Sequence, residues 1–134
     1  MNMTVALHIM VALARNHPRR MPSNELARSV GANPVTIRRV VGRLVDGGLV
    51  ETQPGIGGGV VLARAAANIT VDDIHAALGR PAWIKASTKA PYTPCEVSVC
   101  MPAVVDRLNG AIDCEAAKVM SRVTLQTLVD EEIA

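Results

Sequence analysis

The segment Gly31-Ala-Asn-Pro34 separates two short stretches with helical periodicity, and it constrains the fold more than any other feature of the sequence. Gly is common just after a helix C-terminus, whereas Asn followed by Pro is a strong signal for the start of a new helix. The chain is therefore predicted to turn from one helix into the next over Gly31–Asn33. Two helices joined by a tight turn that contains glycine form a helix-turn-helix motif.

The two helices of this motif have clear predicted limits and faces. The first is predicted to begin at Ser23, a preferred N-cap residue, with the negative charge of Glu25 in its first turn. The second is predicted to extend from Asn33 to about Asp46, where Gly47-Gly48 ends it. Its inner stripe, spaced at three and four residues, comprises Ile37, Val40, Val41 and Leu44. The opposite face carries Val35, Thr36, Arg39 and Arg43, with Arg38 at its flank.

A glycine-rich hairpin is predicted directly after the second helix. Leu49–Gln53 alternates as a strand does, and Val60–Ala63 is predicted to be the return strand. The glycines between them do not fit a phosphate-binding or dinucleotide-binding loop, because either loop would lead into a helix and here a strand follows. A hairpin in this position is a wing. We expect Gly57, Gly58 and Gly59 to form its tip, where glycine permits positive φ angles and close backbone approach.

The N-terminal segment predicts a buried helix. Residues 4–14 are almost continuously apolar, and Pro18 should end the helix that they form. His8 lies within this helix and is interpreted as a core or interface residue. Further along the chain, Thr70 followed by Asp73 predicts a short capped helix. The chain has no Phe, one Trp and one Tyr, so its core must be aliphatic, and binding of single-stranded nucleic acid through stacked rings is disfavoured.

The C-terminal third is predicted to be a loop followed by a long helix. Residues 79–101 contain several prolines and two of the three cysteines, and the helix is expected to begin at Pro102 and end near Arg122. An apolar stripe with the spacing of a coiled-coil seam runs along it and comprises Val105, Leu108, Ile112, Ala116, Val119 and Val123. This stripe would pack against its copy in a dimer or against its own domain. Thr124 is predicted to cap a last short helix.

The charges are distributed unequally between the two halves of the chain. Residues 1–64 contain eight Arg against three acidic residues, a net charge of +5, whereas residues 65–134 have a net charge of −3. Arg is well suited to planar contacts with phosphate and guanine. The first half is therefore expected to face a polyanion, although a solvated surface with a chance imbalance is an alternative.

These motifs together resemble the Rrf2 family of bacterial winged-helix transcription regulators. The resemblance is carried by Asn33-Pro-Val-Thr-Ile-Arg-Arg39, Leu44-Val-Asp-Gly-Gly-Leu-Val50, Gly55-Ile-Gly-Gly-Gly-Val-Val-Leu-Ala63, Ile69-Thr-Val-Asp-Asp-Ile74 and Thr124-Leu-Gln-Thr-Leu128. They span nearly the whole chain in the family's order. The form of the first motif is most similar to the YwnA-like branch of the family.

The resemblance implies a mainly α-helical winged helix-turn-helix fold with a small β-hairpin wing and a long C-terminal dimerisation helix. It also implies a homodimer that places each second helix in a DNA major groove and each wing near the adjacent minor groove, with half-sites ~34 Å apart. The residues expected to contact DNA are Ser23, Asn33, Pro34, Val35, Thr36, Arg38, Arg39, Arg43, Gly57, Gly58 and Gly59.

The three cysteines leave the question of sensing open. Cluster-bearing members of the family use three closely spaced Cys before the long helix, but here only Cys95 and Cys100 precede the predicted helix, and Cys114 lies inside it. Ala117 stands where the histidine ligand of one branch is expected. An iron–sulfur cluster, a thiol or disulfide switch, and structurally inert cysteines all stay possible. No resident cofactor and no metal site are expected, since zinc spacing is absent.

The sequence therefore predicts a regulator of transcription rather than an enzyme. Its three histidines have no nucleophile or carboxylate motif around them. The expected organisation is a DNA-binding domain over 1–79, a cysteine-containing loop over 80–101 and a dimerisation region over 102–134. The expected partners are a double-stranded DNA operator and a second copy, with no membrane, in the cytoplasm. The regulator would most often be a repressor. A winged-helix module that binds an enzyme or another regulator through its C-terminal helices is the alternative.

Overall fold

The computed structural model describes residues 2–133 and has a mainly helical winged-helix fold with one antiparallel hairpin, as the sequence predicted. The helices are α1 (Met3–Asn16), α2 (Ser23–Val30), α3 (Pro34–Asp46), α4 (Val71–Ala77), α5 (Glu96–Met120) and α6 (Leu125–Leu128). The strands are β1 (Val50–Gln53) and β2 (Gly59–Leu62). A 3₁₀ turn, Ala66–Asn68, precedes α4, and a π-helical turn, Val129–Ile133, follows α6.

An aliphatic core joins helices α1–α4, the hairpin and the start of α6. α1 lies at its centre, with Ala6, Ile9 and Met10 fully buried. The inner stripe predicted for α3 is confirmed, since Ile37, Val40, Val41 and Leu44 are all buried. Burial of each such aliphatic side chain contributes roughly 1.5–3 kcal/mol. Of the two positions predicted for His8, core or interface, the core position is wrong, because His8 is exposed on α1 and forms a 2.9 Å hydrogen bond between Nε2 and Ser29 Oγ.

The local signals for helix ends are mostly confirmed. Asn33 is the N-cap of α3, and its Oδ1 accepts a 2.8 Å hydrogen bond from the Val35 N–H. Thr70 and Asp73 form the capping box of α4. The prediction for α2 is wrong by one position, because Pro22 is its N-cap and Ser23 is already the first helical residue, with no capping hydrogen bond. A helical Ser23 no longer has the extended backbone that a side-chain cap requires.

The hairpin is held to the rest of the fold by backbone hydrogen bonds. β1 and β2 pair antiparallel, with Val50 opposite Leu62 and Gln53 opposite Gly59. Met21, just before α2, exchanges two backbone hydrogen bonds with Val60 of β2, at 2.9 and 2.8 Å. This bridge fixes the position of the wing relative to the start of α2.

Helix α5 is longer than predicted and starts earlier. It begins at Glu96, so the predicted start at Pro102 is wrong and Cys100 lies in the helix rather than in a loop. Two hydrogen bonds set the early start: Val99 N–H donates to the carbonyl of Cys95, and Tyr92 N–H donates to Ser98 Oγ. Pro102 has no backbone N–H, so one i→i−4 hydrogen bond of α5 is missing, but the helix continues through this position.

The long helix extends away from the core. No residue of α5 is buried within the described chain. Its C-terminal end is anchored, because Val71 N–H donates to Val123 O and Leu125, which is fully buried, donates from its N–H to Ile69 O. Within residues 2–133, no helix has both the length and the apolar character needed to span a bilayer.

Candidate nucleic-acid interface

The outer face of α3 presents a compact set of exposed side chains. Val35, Arg38, Arg39 and Arg43 are exposed, and Thr36 is half-buried, as the helical periodicity predicted. The buried stripe of the same helix fixes this face outward, because α3 packs between α1, α2 and β1. The three guanidinium groups therefore project from one rigid surface.

Within residues 2–133, the arginines of α3 have no ionic partner. The ion pairs found over residues 2–133 join Arg19 to Glu25, Arg80 to Asp72 and Lys118 to Glu115. None of them involves Arg38, Arg39 or Arg43. Three unpaired guanidinium groups on one helix face repel each other weakly and attract a polyanion, so this surface is best satisfied by an external row of phosphates or base edges.

The start of α3 has a structural task besides any external contact. Asn33 and Pro34 are exposed, but the Asn33 side-chain oxygen is already used by the Val35 N–H. Asn33 can therefore offer an external ligand its amide N–H₂ group and the one remaining acceptor site of Oδ1. Pro34 occupies the first helical position, where its missing N–H has no cost.

The glycines of the wing differ from one another in role. Gly57 is exposed with a φ of 77°, which fits a tip position. Gly58 is buried, and Gly59, with a φ of 138°, lies against Met21, where a Cβ would be 2.7 Å from the backbone carbonyl group. Of the three glycines predicted to form the tip, Gly57 is therefore accessible, whereas Gly58 and Gly59 lie against backbone atoms of the protein itself.

The tip of the wing carries an apolar side chain that the sequence reasoning did not select. Ile56 is fully exposed between Gly55 and Gly57. Its position among four glycines was the available signal, because a lone aliphatic residue at a solvated turn gains nothing from the fold. Ile56 stands where a partner that touches the wing would meet it first.

Two arginines beside the wing were also missed. Arg19 and Arg20 line a cleft of about 620 Å³ between the start of α2 and the turn Pro54–Gly59. Arg19 is exposed and forms a bidentate pair with Glu25, at 2.8 and 3.1 Å. Arg20 Nη1 is buried and has no hydrogen-bond partner among residues 2–133. The signal in the sequence was that Arg19 and Arg20 are adjacent and directly precede the helix-turn-helix motif. From the sequence, these two residues were used only in the net charge of residues 1–64.

The Arg19–Glu25 pair also has electrostatic consequences. The hydrogen bond from the guanidinium lowers the pKa of the Glu25 carboxyl, and the same hydrogen bond raises the pKa of Arg19. Both groups stay charged near neutral pH. The pair therefore places one acidic charge at the edge of a surface that is otherwise basic.

The predicted seam of α5 lies on an open face of the helix. Leu108, Ile112 and Val119 are exposed, whereas Val105, Ala116 and Val123 are half-buried. The earlier helix start adds Val97, Met101 and Val104, all exposed, to the same side of the helix by its 100° periodicity. An apolar stripe of this length on a solvent-facing helix is the kind of surface that a second helix covers.

A comparison with known sequence families decides what kind of protein carries this surface. Residues 1–131 match the profile of the Rrf2 family, described as iron-dependent transcriptional regulators. The chain belongs to the Rrf2 family. Rrf2 proteins are transcription regulators, and their winged-helix fold with a long C-terminal helix is the fold found here. Among proteins with curated functions, none matches the chain in sequence.

Solved structures share the Rrf2 fold at low sequence identity. CymR (YrzC), described as the global cysteine regulator of B. subtilis, is 23% identical, with 96% of this chain and 92% of that chain covered and a TM-score of 0.66. IscR of T. potens is 20% identical, with 96% and 83% covered and a TM-score of 0.66. A transcriptional regulator from Lactobacillus plantarum is 21% identical, with 97% and 90% covered and a TM-score of 0.73. At these identities the likeness shows the fold.

The cysteines do not fit an iron–sulfur cluster held by this chain. Cys95 precedes α5, Cys100 lies in its second turn, and Cys114 is a further fourteen residues along, about 21 Å at 1.5 Å per residue. Cluster irons need thiolates that converge within a few ångströms. Within residues 2–133, no three His, Cys, Asp or Glu side chains converge to hold a metal ion.

A disulfide within the chain does not fit either. Cys95, the N-cap residue of α5, and Cys100 in its second turn are five positions apart, which separates their Cα atoms by about 8–9 Å, whereas disulfides need Cα atoms within ~6.8 Å. Cys100 and Cys114 are exposed on the side of α5 that faces away from the apolar stripe. Any thiol chemistry of this chain would therefore involve single thiols or partners from outside it.

Proposed function

We propose that the chain is a homodimeric regulator of transcription that binds a specific double-stranded DNA operator, acting as a repressor. The observation that carries this proposal is the outer face of α3, where Arg38, Arg39 and Arg43 are exposed and have no ion-pair partner in the described part of the chain. A winged-helix module that served only protein partners would have no use for three such groups on one face.

The exposure of the following side chains supports a set of DNA contacts for the winged-helix unit, which comprises α1–α4 and the hairpin. α3 enters the major groove, with Val35, Thr36 and Arg39 towards the bases and Arg43 towards the phosphate backbone. The wing, with Ile56 at its tip, approaches the adjacent minor groove, and Arg19 and Arg20 face the phosphates between the two grooves. Ser23, Asn33, Pro34, Arg38 and the exposed Gly57 complete the proposed contact set. Gly58 and Gly59, which the sequence also predicts as contacts, pack against the protein's own backbone and are left out of it.

Dimerisation through α5 supports specific binding because it presents two such units to one DNA face. The apolar stripe of α5 is open in the single chain, and two copies that cover it would place their α3 helices on half-sites about 34 Å apart. A regulator of this kind works on chromosomal DNA in the bacterial cytoplasm. The motif Asn33–Arg39 further supports assignment to the YwnA-like branch.

Sensing by single thiols is the form of redox response that the geometry favours. Solved relatives are named as a global cysteine regulator and as an oxidised form of CymR from Staphylococcus aureus. In this chain Cys100 and Cys114 are exposed on α5, where exchange with a small-molecule disulfide would form a mixed disulfide, release the second thiol and attach a group to the helix that joins the two subunits.

A gel-shift titration of the full chain against duplex DNA from upstream of its own gene tests the proposal. We expect specific binding that weakens steeply with salt, since Arg–phosphate contacts release counterions. Arg39→Ala should weaken binding about tenfold or more, while the charge-matched control Arg107→Ala, on the exposed side of α5, leaves it unchanged. Equal affinity for operator and unrelated duplex would refute sequence-specific binding and favour the alternative of a protein-interaction module.

A further inference from the structure

The segment that connects α4 to α5, residues 79–95, is attached to both helices through one aromatic side chain. Trp83 stacks on His75 of α4, with ring centroids 5.2 Å apart and an interplanar angle of 28°. On its other side, the Trp83 indole N–H donates a 2.6 Å hydrogen bond to Asp113 of α5. Trp83 therefore bridges the winged-helix unit and the long helix.

Ile84, next to Trp83, also attaches the connecting segment to α5. We call the contacts of this segment with α4 and α5 the junction. Ile84 N–H donates to Asn109 Oδ1 at 2.8 Å, and Asn109 Nδ2 donates back to Ile84 O at 2.9 Å. This reciprocal pair fixes the main chain of the connecting segment on α5. The start of the segment is fixed on α4, because Arg80 donates from its N–H to His75 O and pairs with Asp72 at 2.9 Å.

The junction gives α5 a second point of attachment. Its C-terminal end is held by the hydrogen bonds of Val123 and Leu125 to the winged-helix unit. Asn109 and Asp113 lie about three and two helical turns before that end. A long helix held at its end alone can swing about that end, whereas a helix held at two separated points has a fixed angle.

The other side of the junction leads to α3. His75 is 2% exposed, so the Trp83 ring covers a side chain that belongs to the packed interior of the unit. Two residues along α4, Ala77 packs so closely on Gly47, at the end of α3, that a Cβ on Gly47 would lie 2.8 Å from the Ala77 Cβ. Packing without free space transmits displacement, so α4 and α3 move together.

We propose that Trp83 is a positioning residue that fixes the angle between α5 and the DNA-reading helix, and thereby sets the half-site spacing that the dimer accepts. The inference rests on the proposed function. Trp83 is 45% exposed, and the hydrogen bonds that Trp83 and Ile84 form with α5 lie at the surface, so the junction can open without unfolding the core. With Trp83 detached, each winged-helix unit keeps its DNA contacts but loses its fixed angle to α5.

The first test is an operator series in which the distance between half-sites is changed by one or two base pairs. For the full-length wild type, changing the spacing by two base pairs should weaken binding about tenfold, because both α3 helices must meet their grooves at once. For Trp83→Ala the same change should weaken binding by less than about threefold, with weaker binding at the optimum. Trp83→Phe keeps the stack on His75 and should restore most of the dependence.

The second test needs no DNA. In a variant with all three cysteines changed to Ser, a spin label at Ala67→Cys, an exposed position on the winged-helix unit, reports the distance between the two units of a dimer. The distance distribution should be narrow with Trp83 present and at least about twofold broader in Trp83→Ala. Tyr92→Ala, which removes the other aromatic residue of the same segment, is the matched control and should leave the distribution narrow.

The outcomes separate the two proposals. If the wild type binds no duplex specifically but Trp83→Ala broadens the distance distribution, the proposed function fails and the positioning role stands. If the wild type binds its operator and Trp83→Ala keeps both the narrow distribution and the wild-type spacing dependence, the positioning role is overturned and the proposed function stands. Circular dichroism and sedimentation verify that each variant is folded and dimeric.

Discussion

Gly58 lies directly against the backbone of Gln53 across the turn of the wing. A Cβ on Gly58 would be 2.1 Å from the Gln53 carbonyl oxygen and 2.9 Å from the Gln53 carbonyl carbon. Both neighbours are backbone atoms at the end of β1, so they cannot swing aside as a long side chain can. The turn that joins β1 to β2 can therefore close only with glycine at this position.

Gly58→Ala should open the wing. We expect a loss of about 2–3 kcal/mol in the free energy of unfolding, the upper part of the range of single substitutions. The urea midpoint measures this loss, and duplex affinity should fall with it. Gly57→Ala is the control: open space surrounds Gly57, and only its positive φ disfavours alanine, by about 1 kcal/mol. Equal losses in the two variants would contradict the close contact described here.

The strands of the wing could be predicted from the sequence, whereas the surroundings of its glycines could not. Its strands were predictable to within one residue at each end, because alternation and glycine clustering are local signals. The separate roles of Gly57 and Gly58 were not, since the neighbour of Gly58 depends on how the turn closes in three dimensions. The sequence therefore predicted where the turn of the wing lies but not which of its residues are accessible.

Asn33→Ala and Asn33→Asp should separate the two roles of Asn33. Alanine removes the acceptor for the Val35 N–H and should lower the free energy of unfolding by about 1 kcal/mol. Aspartate keeps the cap and should preserve stability, but it places a negative charge beside the DNA phosphates and should weaken operator binding. Thermal melting and gel-shift titration measure the two effects. Full operator affinity in Asn33→Asp would argue against DNA at the start of α3.

The Arg19–Glu25 pair should make stability depend on pH through Glu25. Because the pKa of Glu25 is lower in the folded chain than its ordinary value of 4.5, the pair stabilises the fold above that value, and this stabilisation disappears as pH falls through the folded pKa. The effect is small, since the pair is exposed. Glu25→Gln should have a slightly lower urea midpoint than wild type at pH 7, and the two midpoints should converge in acid. A difference that persists at pH 2 would require another cause.

The C-terminal third was predicted less well than the helix-turn-helix motif, for two physical reasons. The sequence pattern places Pro102 in the first turn of the long helix, but the hydrogen bonds of the Cys95 carbonyl and the Ser98 hydroxyl start α5 earlier. The role of Trp83 depends on Asp113, thirty residues further along the chain, which no local pattern encodes. By contrast, the stripe from Val105 to Val123 follows from helical periodicity alone and needs no knowledge of the fold.

The three thiols should differ in reactivity according to their exposure. Cys100 and Cys114 are exposed and Cys95 is half-buried, so a maleimide reagent should modify the first two faster than Cys95. After treatment with diamide, peptide mass spectrometry should find no disulfide within a single chain, because the Cα separations are too long. A Cys95–Cys100 bridge in the folded protein would show that the first turns of α5 unwind.

Leu108→Glu should convert the dimer into a folded monomer. Leu108 is 46% exposed in the single chain, so a charge there is harmless to the monomer, whereas in the proposed seam the carboxylate would be buried against apolar side chains. Sedimentation velocity should show the mass of one chain, and duplex affinity should fall because one winged-helix unit is left per molecule. Val99→Glu is the matched control, since Val99 is 49% exposed on the same helix but off the stripe. A Leu108→Glu protein that stays dimeric would exclude this stripe as the interface.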